Sequence, residues 1–252
     1  MDFSYSRLTC YRMCPRKFDL HYTKKIEDED PMQMDTFRGL FLHEYAETYL
    51  FESIFESDNL DEMIKSFETE NRIKFSDEDR ILIRIGVRRI KKIFSEYIFP
   101  LREKGFQVST EGEYLFDFHG HKLTTKLDVL LLKRGEAIII DWKSGRSMNT
   151  DYYKEQLAFY KMVIASLYTI PDTSVKTKIC FLLADTEDTL IENFLINVPI
   201  TYLEIKEFQH KALETLKEIE TNPKTEPTMS RMCKYCQFRS GCYLYAITGG
   251  RM

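Results

Sequence analysis

With 252 residues, 36 lysines and arginines against 40 acids and a net charge of −4, the chain has the size of one large domain and lacks the basic excess of a passive nucleic-acid coat. No stretch approaches the roughly 18 uninterrupted apolar residues that span a bilayer, and Met1 to Lys17 lacks an apolar signal-peptide core, which points to a cytoplasmic protein with no membrane partner. In that reducing compartment the 6 cysteines read as metal-binding or catalytic before they read as disulfides.

Ser4 to Tyr22 mixes aromatic, basic and cysteine residues and reads as a helix from Ser6, interrupted near Pro15, which removes a backbone donor. Glu27 to Asp30 reads as an acidic loop. Thr36 to Phe55 has helical apolar spacing, with Leu40, Tyr45, Tyr49 and Leu50 expected in the core and His43 inside the helix. Asn59 to Lys74 is a second helix, and Ser76, followed by acids, caps a long one to Tyr97. After Pro100 and Gly105 the period turns strand-like. It gives strands Gln107 to Phe118, Lys122 to Leu132 and Glu136 to Trp142, separated by turns at His119-Gly120 and Arg134-Gly135. Ala137 to Ile140 is apolar on both faces, as in a central strand. Asp151 to Leu167 returns to helical spacing, Val175 to Ala184 and Thr189 to Val198 read as a hairpin, and Tyr202 to Glu220 as an amphipathic helix. The fold class is α/β in a single domain: a core over 105–221, a helical lobe over 36–104, and a cysteine-rich clasp from 1–30 and 222–252.

Asp128 opens an apolar run (Val129 to Leu132), and Asp141 closes another (Ile138 to Ile140) two residues before Lys143, so both acids are expected at strand ends of one sheet. A carboxylate taken out of water needs a cation or several donors beside it. A divalent ion with oxygen ligands is one such partner, and a lysine near its water can orient the nucleophile and stabilise an attacked phosphate. The same pattern also describes strand-end acids pairing with Lys126 and Lys143 on a solvated rim. His43 precedes the sheet on a helix, and Gln156 and Tyr160, one helical turn apart, share a face after it.

In this order the residues resemble the RecB-like branch of the PD-(D/E)xK nucleases: Gly39-x-x-x-His43-Glu44, Asp128 in its apolar strand, Asp141-Trp142-Lys143, and Gln156-x-x-x-Tyr160. The resemblance implies a restriction-endonuclease-like core, a mixed central sheet flanked by helices. It implies Mg²⁺ or Mn²⁺ held by His43, Asp128, Asp141 and the Trp142 carbonyl, catalysis by Lys143, and DNA contact or active-site support by Gln156 and Tyr160.

Cys233-x-x-Cys236-x5-Cys242 supplies three thiols and Cys14 stands near the start. Relatives of this branch with iron–sulfur clusters, including the AddB-type domain and the CRISPR-associated adaptation exonucleases, carry the same split of one cysteine before the core and three after it. The resemblance implies a 4Fe-4S cluster on Cys14, Cys233, Cys236 and Cys242, with zinc as the alternative. Tyr243 stands where many relatives have proline, Cys180 reads as core, and Cys10 fits no spacing. Arg7, Arg12, Arg16 and Lys17, with Arg231, Lys234 and Arg239, would form a basic, aromatic-bearing surface for one DNA strand if the cysteines share a site. No G-x-x-x-x-G-K-[ST] loop supplies a motor. The expected function is a metal-dependent exonuclease on single-stranded DNA ends, working with integrase proteins in CRISPR spacer acquisition and antiviral defence. The alternatives are a stand-alone or phage repair and recombination nuclease, and a non-catalytic DNA-end-binding subunit.

Overall fold

The computed structural model describes residues 2–26, 33–51 and 59–248. In chain order they form β1 (Phe3–Ser4), α1 (Tyr5–Met13), α2 (Pro15–Phe18), α3 (Met34–Phe51), α4 (Leu60–Asn71), α5 (Asp77–Ile93), α6 (Phe99–Glu103), β2 (Gln107–Phe118), β3 (His121–Lys133), β4 (Glu136–Lys143), α7 (Lys154–Leu167), β5 (Val175–Phe181), β6 (Leu195–Asn197), α8 (Tyr202–Thr221) and α9 (Tyr243–Thr248). The acidic stretch Glu27 to Asp30, and the last turn of the helix expected to reach Phe55, lie outside the described residues. Among the described residues no helix is long and apolar enough to cross a membrane.

Local chemistry sets several of these boundaries. Cys14 takes an extended conformation at φ −159°, which ends α1 and lets Pro15 open α2 at a position where its missing N–H is no loss. Ser76 caps α5 by accepting from the Asp79 amide at 3.1 Å, while Asp79 Oδ2 accepts from the Ser76 amide at 3.0 Å. Past Ile93 the helix widens over Phe94–Ile98 and continues as α6, so the long helix expected to end at Tyr97 runs on to Glu103 in three pieces.

The described residues fall into two compact units. One, made of 33–114 and 126–204, holds a mixed sheet in which β4 pairs antiparallel with β3 (Leu130 with Ile139) and parallel with β5 (Ile139 with Thr177), and β6 pairs antiparallel with β5. β4 is central and buried from Ala137 to Trp142, as its unbroken apolar run requires. The parallel step from β4 to β5 is made by α7, buried throughout 157–164. Helices α3 to α5 share one hydrophobic core with the sheet, through Phe41, Leu42, Ile83 and Ile90 on the helices and Leu131 and Trp142 on the strands. Leu40, expected in that core, is 46% exposed and lines a cleft instead, because its side of α3 faces away from the packed stripe. The second strand of the expected hairpin is short, since Ile191–Asn193 coils into a 3-10 turn.

The other unit is assembled from 2–26, 115–125 and 205–248. There β1 pairs parallel with the start of β3, Phe3 with Leu123 and Ser4 with Thr124. The Tyr11 hydroxyl accepts from the Lys224 amide at 2.8 Å, and the Tyr11 ring packs edge-on against Phe18.

Candidate metal and catalytic centre

Register explains why the two acids and the lysine meet. The β3–β4 ladder runs from Lys133–Glu136 to Val129–Ile140, and the next step along it brings Asp128 opposite Asp141. Asp128 thus stands inside β3 and not at its end. Side chains alternate along a strand, so Asp141 and Lys143 share a face while the Trp142 indole between them turns into the core against Phe94. The Trp142 amide donates to Asp128 Oδ2 at 2.6 Å, and no hydrogen-bond partner for its indole nitrogen is found among the described residues.

His43, on α3, places Nδ1 3.3 Å from Asp128 Oδ1 and 3.1 Å from Glu111 Oε1. Glu111 carries no signal in the sequence that marks it for this place. It lies on β2 with a left-handed backbone, φ +51°, and its other oxygen pairs with Lys126 Nζ at 2.9 Å. One ligand atom each from His43, Glu111 and Asp128 lies within 4.8 Å of the others. An imidazole and two carboxylates are a donor set that suits a divalent cation. His43 and Glu111 open onto a cleft of about 890 Å³ lined also by Glu44, Glu47 and Lys126.

Lys143 is held from three sides. Its Nζ lies 2.5 Å from Asp141 Oδ2, donates to Gln156 Oε1 at 3.0 Å, and sits 4.7 Å from the centroid of the Tyr153 ring. Gln156 Nε2 in turn donates to the Tyr160 hydroxyl at 2.6 Å. Gln156 and Tyr160 are therefore tied to the lysine, and Tyr153, at the end of a 3-10 turn before α7, was not foreseen. Asp141 Oδ2 is buried and receives no well-directed hydrogen bond, despite its ion contact with Lys143. Asp141 is 2% exposed and Lys126 pairs with Glu111, so the two acids are not ion pairs on a solvated rim.

The electrostatics follow from this crowding. Burial, then the Asp128 charge, push the Asp141 carboxyl above the usual range against the pull of Lys143 and His43. Burial opposes a charged His43, but hydrogen bonds to Asp128 and Glu111 and their charges outweigh it and raise the imidazole to about 10. Glu111 is lowered, since bonds from His43 and Lys126 outweigh its burial.

The four expected thiols, Cys14, Cys233, Cys236 and Cys242, line one small cavity in the other unit, beside Pro227 and Met229. All six cysteines are free of disulfides. Backbone amides point at the sulfurs: Lys17 N–H at Cys14 Sγ, 3.5 Å, and Ser230 N–H at Cys233 Sγ, 3.3 Å. Cys180 is fully buried in β5, as expected of a core residue, and Cys10 is buried on α1, where desolvation raises its thiol to about 11.

A crystal structure of a candidate exonuclease from Eubacterium rectale superposes with a TM-score of 0.56 at 14% identity, covering 94% of this chain and 87% of that one, which shows a shared fold. The crystal structure of SSO0001 is 18% identical over 83% of this chain and 97% of that one, with a TM-score of 0.36. No curated protein sequence matches the chain. The family description "PD-(D/E)XK nuclease superfamily" matches residues 2–243. With a mixed sheet flanked by helices and nearly its whole length matched, the chain belongs to the PD-(D/E)XK nuclease superfamily.

Proposed function

We propose that this nuclease is a divalent-metal-dependent DNA exonuclease working from single-stranded ends, with its centre at His43, Glu111, Asp128, Asp141 and Lys143. The observation that carries the reading is the Lys143 ammonium fixed by Asp141 and Gln156 in the same unit as the His43, Glu111 and Asp128 donors. Mg²⁺ or Mn²⁺ held by those donors, with Asp141 and the Trp142 carbonyl, would supply Lewis acidity toward water and the attacked phosphate. Lys143 orients the attacking water and offsets charge on the phosphate oxygens, and Gln156, Tyr160 and the Tyr153 ring keep its ammonium aimed. The Trp142 amide fixes the Asp128 carboxylate.

The preference for a single strand is supported by one exposed and one half-buried tyrosine beside cations in the unit that carries the four-thiol cavity. Lys234 lies 4.8 Å from the ring of Tyr235, which is 55% exposed, and Arg7 lies 5.0 Å from Tyr22. The four thiols around one cavity, with amides aimed at two of them, suit a 4Fe-4S cluster, and zinc is the competing occupant. The split placement of these cysteines favours a role in trimming DNA for CRISPR spacer acquisition, beside integrase proteins, over stand-alone repair.

The test is anaerobic purification with iron and zinc counted, followed by Mn²⁺ assays on end-labelled linear and circular single strands. We expect four irons per chain, loss of linear strands only, and no degradation by Asp141→Ala. Equal degradation by Asp141→Ala refutes the centre, nicked circles refute the end requirement, and zinc without iron refutes the cluster.

A further inference from the structure

His43 reaches its partners from a helix, so its height above the sheet depends on how α3 is seated. Two glycines set that seating. On α3 itself, Gly39 lies one turn before His43 on the same face, and a Cβ there would meet the Ser144 hydroxyl at 2.8 Å, next to Lys143. On α5, Gly86 is buried beneath Leu42, the residue preceding His43, and a Cβ there would meet both Leu42 methyls at 2.7 Å and its Cγ at 3.3 Å. Ser144 lines the open cleft and has room to turn. Leu42 is wholly buried in a packed core, so its side chain has less room than Ser144 to step aside from the second contact. The Arg38–Asp79 ion pair already joins the beginnings of α3 and α5, so a methyl at 86 lifts the middle of α3 against a fixed end.

We propose that Gly86, with Gly39 as a lesser second contact, is a positioning residue that sets the distance of His43 from Glu111 and Asp128 and thereby the affinity of the centre for divalent metal. The inference rests on the metal site described above. Gly86 touches neither substrate nor ligand, and its effect passes through Leu42 and the axis of α3.

The test is calorimetric Mn²⁺ titration of the full-length folded chain, with thermal melting in EDTA alongside. Gly86→Ala should weaken Mn²⁺ binding about tenfold or more, since sub-ångström misplacement of a ligand is costly. Adding Leu42→Val removes the carbon that Gly86→Ala adds, and the double variant should return to within about threefold of wild type. In a His43→Asn background Gly86→Ala should change Mn²⁺ affinity less than about twofold. The proposal is overturned if Gly86→Ala binds Mn²⁺ like wild type, or if Leu42→Val restores melting but not Mn²⁺ affinity. Should Gly86→Ala not fold, Gly39→Ala carries the test with a smaller expected loss of Mn²⁺ affinity, about threefold, because Ser144 can turn aside; Ser144→Gly should restore it, and wild-type affinity in Gly39→Ala then overturns the proposal. Wild-type binding unmoved by His43→Asn instead overturns the metal site itself, which separates failure of that reading from failure of this one.

Discussion

Glu111 keeps a left-handed backbone inside a strand, a conformation that costs a residue with a side chain roughly 1–3 kcal/mol. The ion contacts with His43 and Lys126 offset that cost and hold the carboxylate toward the centre. Glu111→Gln keeps the shape and removes the charge, and should weaken Mn²⁺ binding by at least about tenfold in calorimetry, with an unchanged affinity removing Glu111 from the ligand set. A cation over an aromatic face is worth roughly 0.5–2 kcal/mol. Tyr153→Leu should therefore slow turnover about 2- to 30-fold at saturating DNA, while Tyr153→Phe, which keeps the face, stays near wild type; equal losses in the two would assign the effect to the hydroxyl. Neither residue was legible beforehand. Glu111 and Glu113 read as two polar residues on one face of an alternating strand, and nothing beside them announces a reversed backbone. Tyr153 lies in a 3-10 turn that periodicity merges with the helix behind it.

At the level of elements, α5 carries two polar anchors. Ser76 and Arg38 hydrogen-bond the Asp79 carboxylate and outweigh its burial, so its pKa is lowered in the folded chain. A carboxylate lowered on folding contributes stability above its unfolded pKa of about 3.9 and loses it as pH falls through the lower folded value. Asp79→Asn should thus lower the melting temperature near neutrality and flatten its decline below about pH 4; an acid limb as steep as in wild type would show that other carboxylates set it. Arg89, 1% exposed, donates to the carbonyls of Phe181, Leu182, Ala184 and Thr186 and to Asp188, and so pins the segment after β5. Arg89→Met leaves those carbonyls buried and unpaired and should cost at least about 3 kcal/mol in urea unfolding. The strands before the centre were legible because alternation is strong and each turn carries glycine: Gln107 to Phe118 has the bounds its sequence pattern implies. Two-residue β1 was not, since so short a run has no period, and β6 was expected from Thr189 but keeps only Leu195–Asn197. The order of His43, Asp128, Asp141, Lys143 and Gln156 was readable because register and helical turn convert spacing directly into shared faces.

At the level of the molecule, the two units are interleaved in sequence, and the one bearing the cysteines is built from three separate segments. No truncation removes it cleanly. If a cluster occupies the four thiols, stripping it with a chelator under anaerobic conditions should expose trypsin sites within 2–26 and 205–248 before any within 126–204, as mapped by mass spectrometry. First cuts inside 126–204 would contradict a structural role for the thiol site.

That interleaving also imposes a schedule. Tyr11 must wait for Lys224, 213 residues later, and Cys14 waits longer for its three companions. At roughly 5–20 residues per second of synthesis, the delay is on the order of 10–40 s. Throughout it the residues of the proposed nuclease centre emerge, while Cys14 stands without its three companions. The order of manufacture therefore places the proposed hydrolytic centre first and the four-thiol site last, and leaves the first of its four cysteines open longest to oxidants and stray metal.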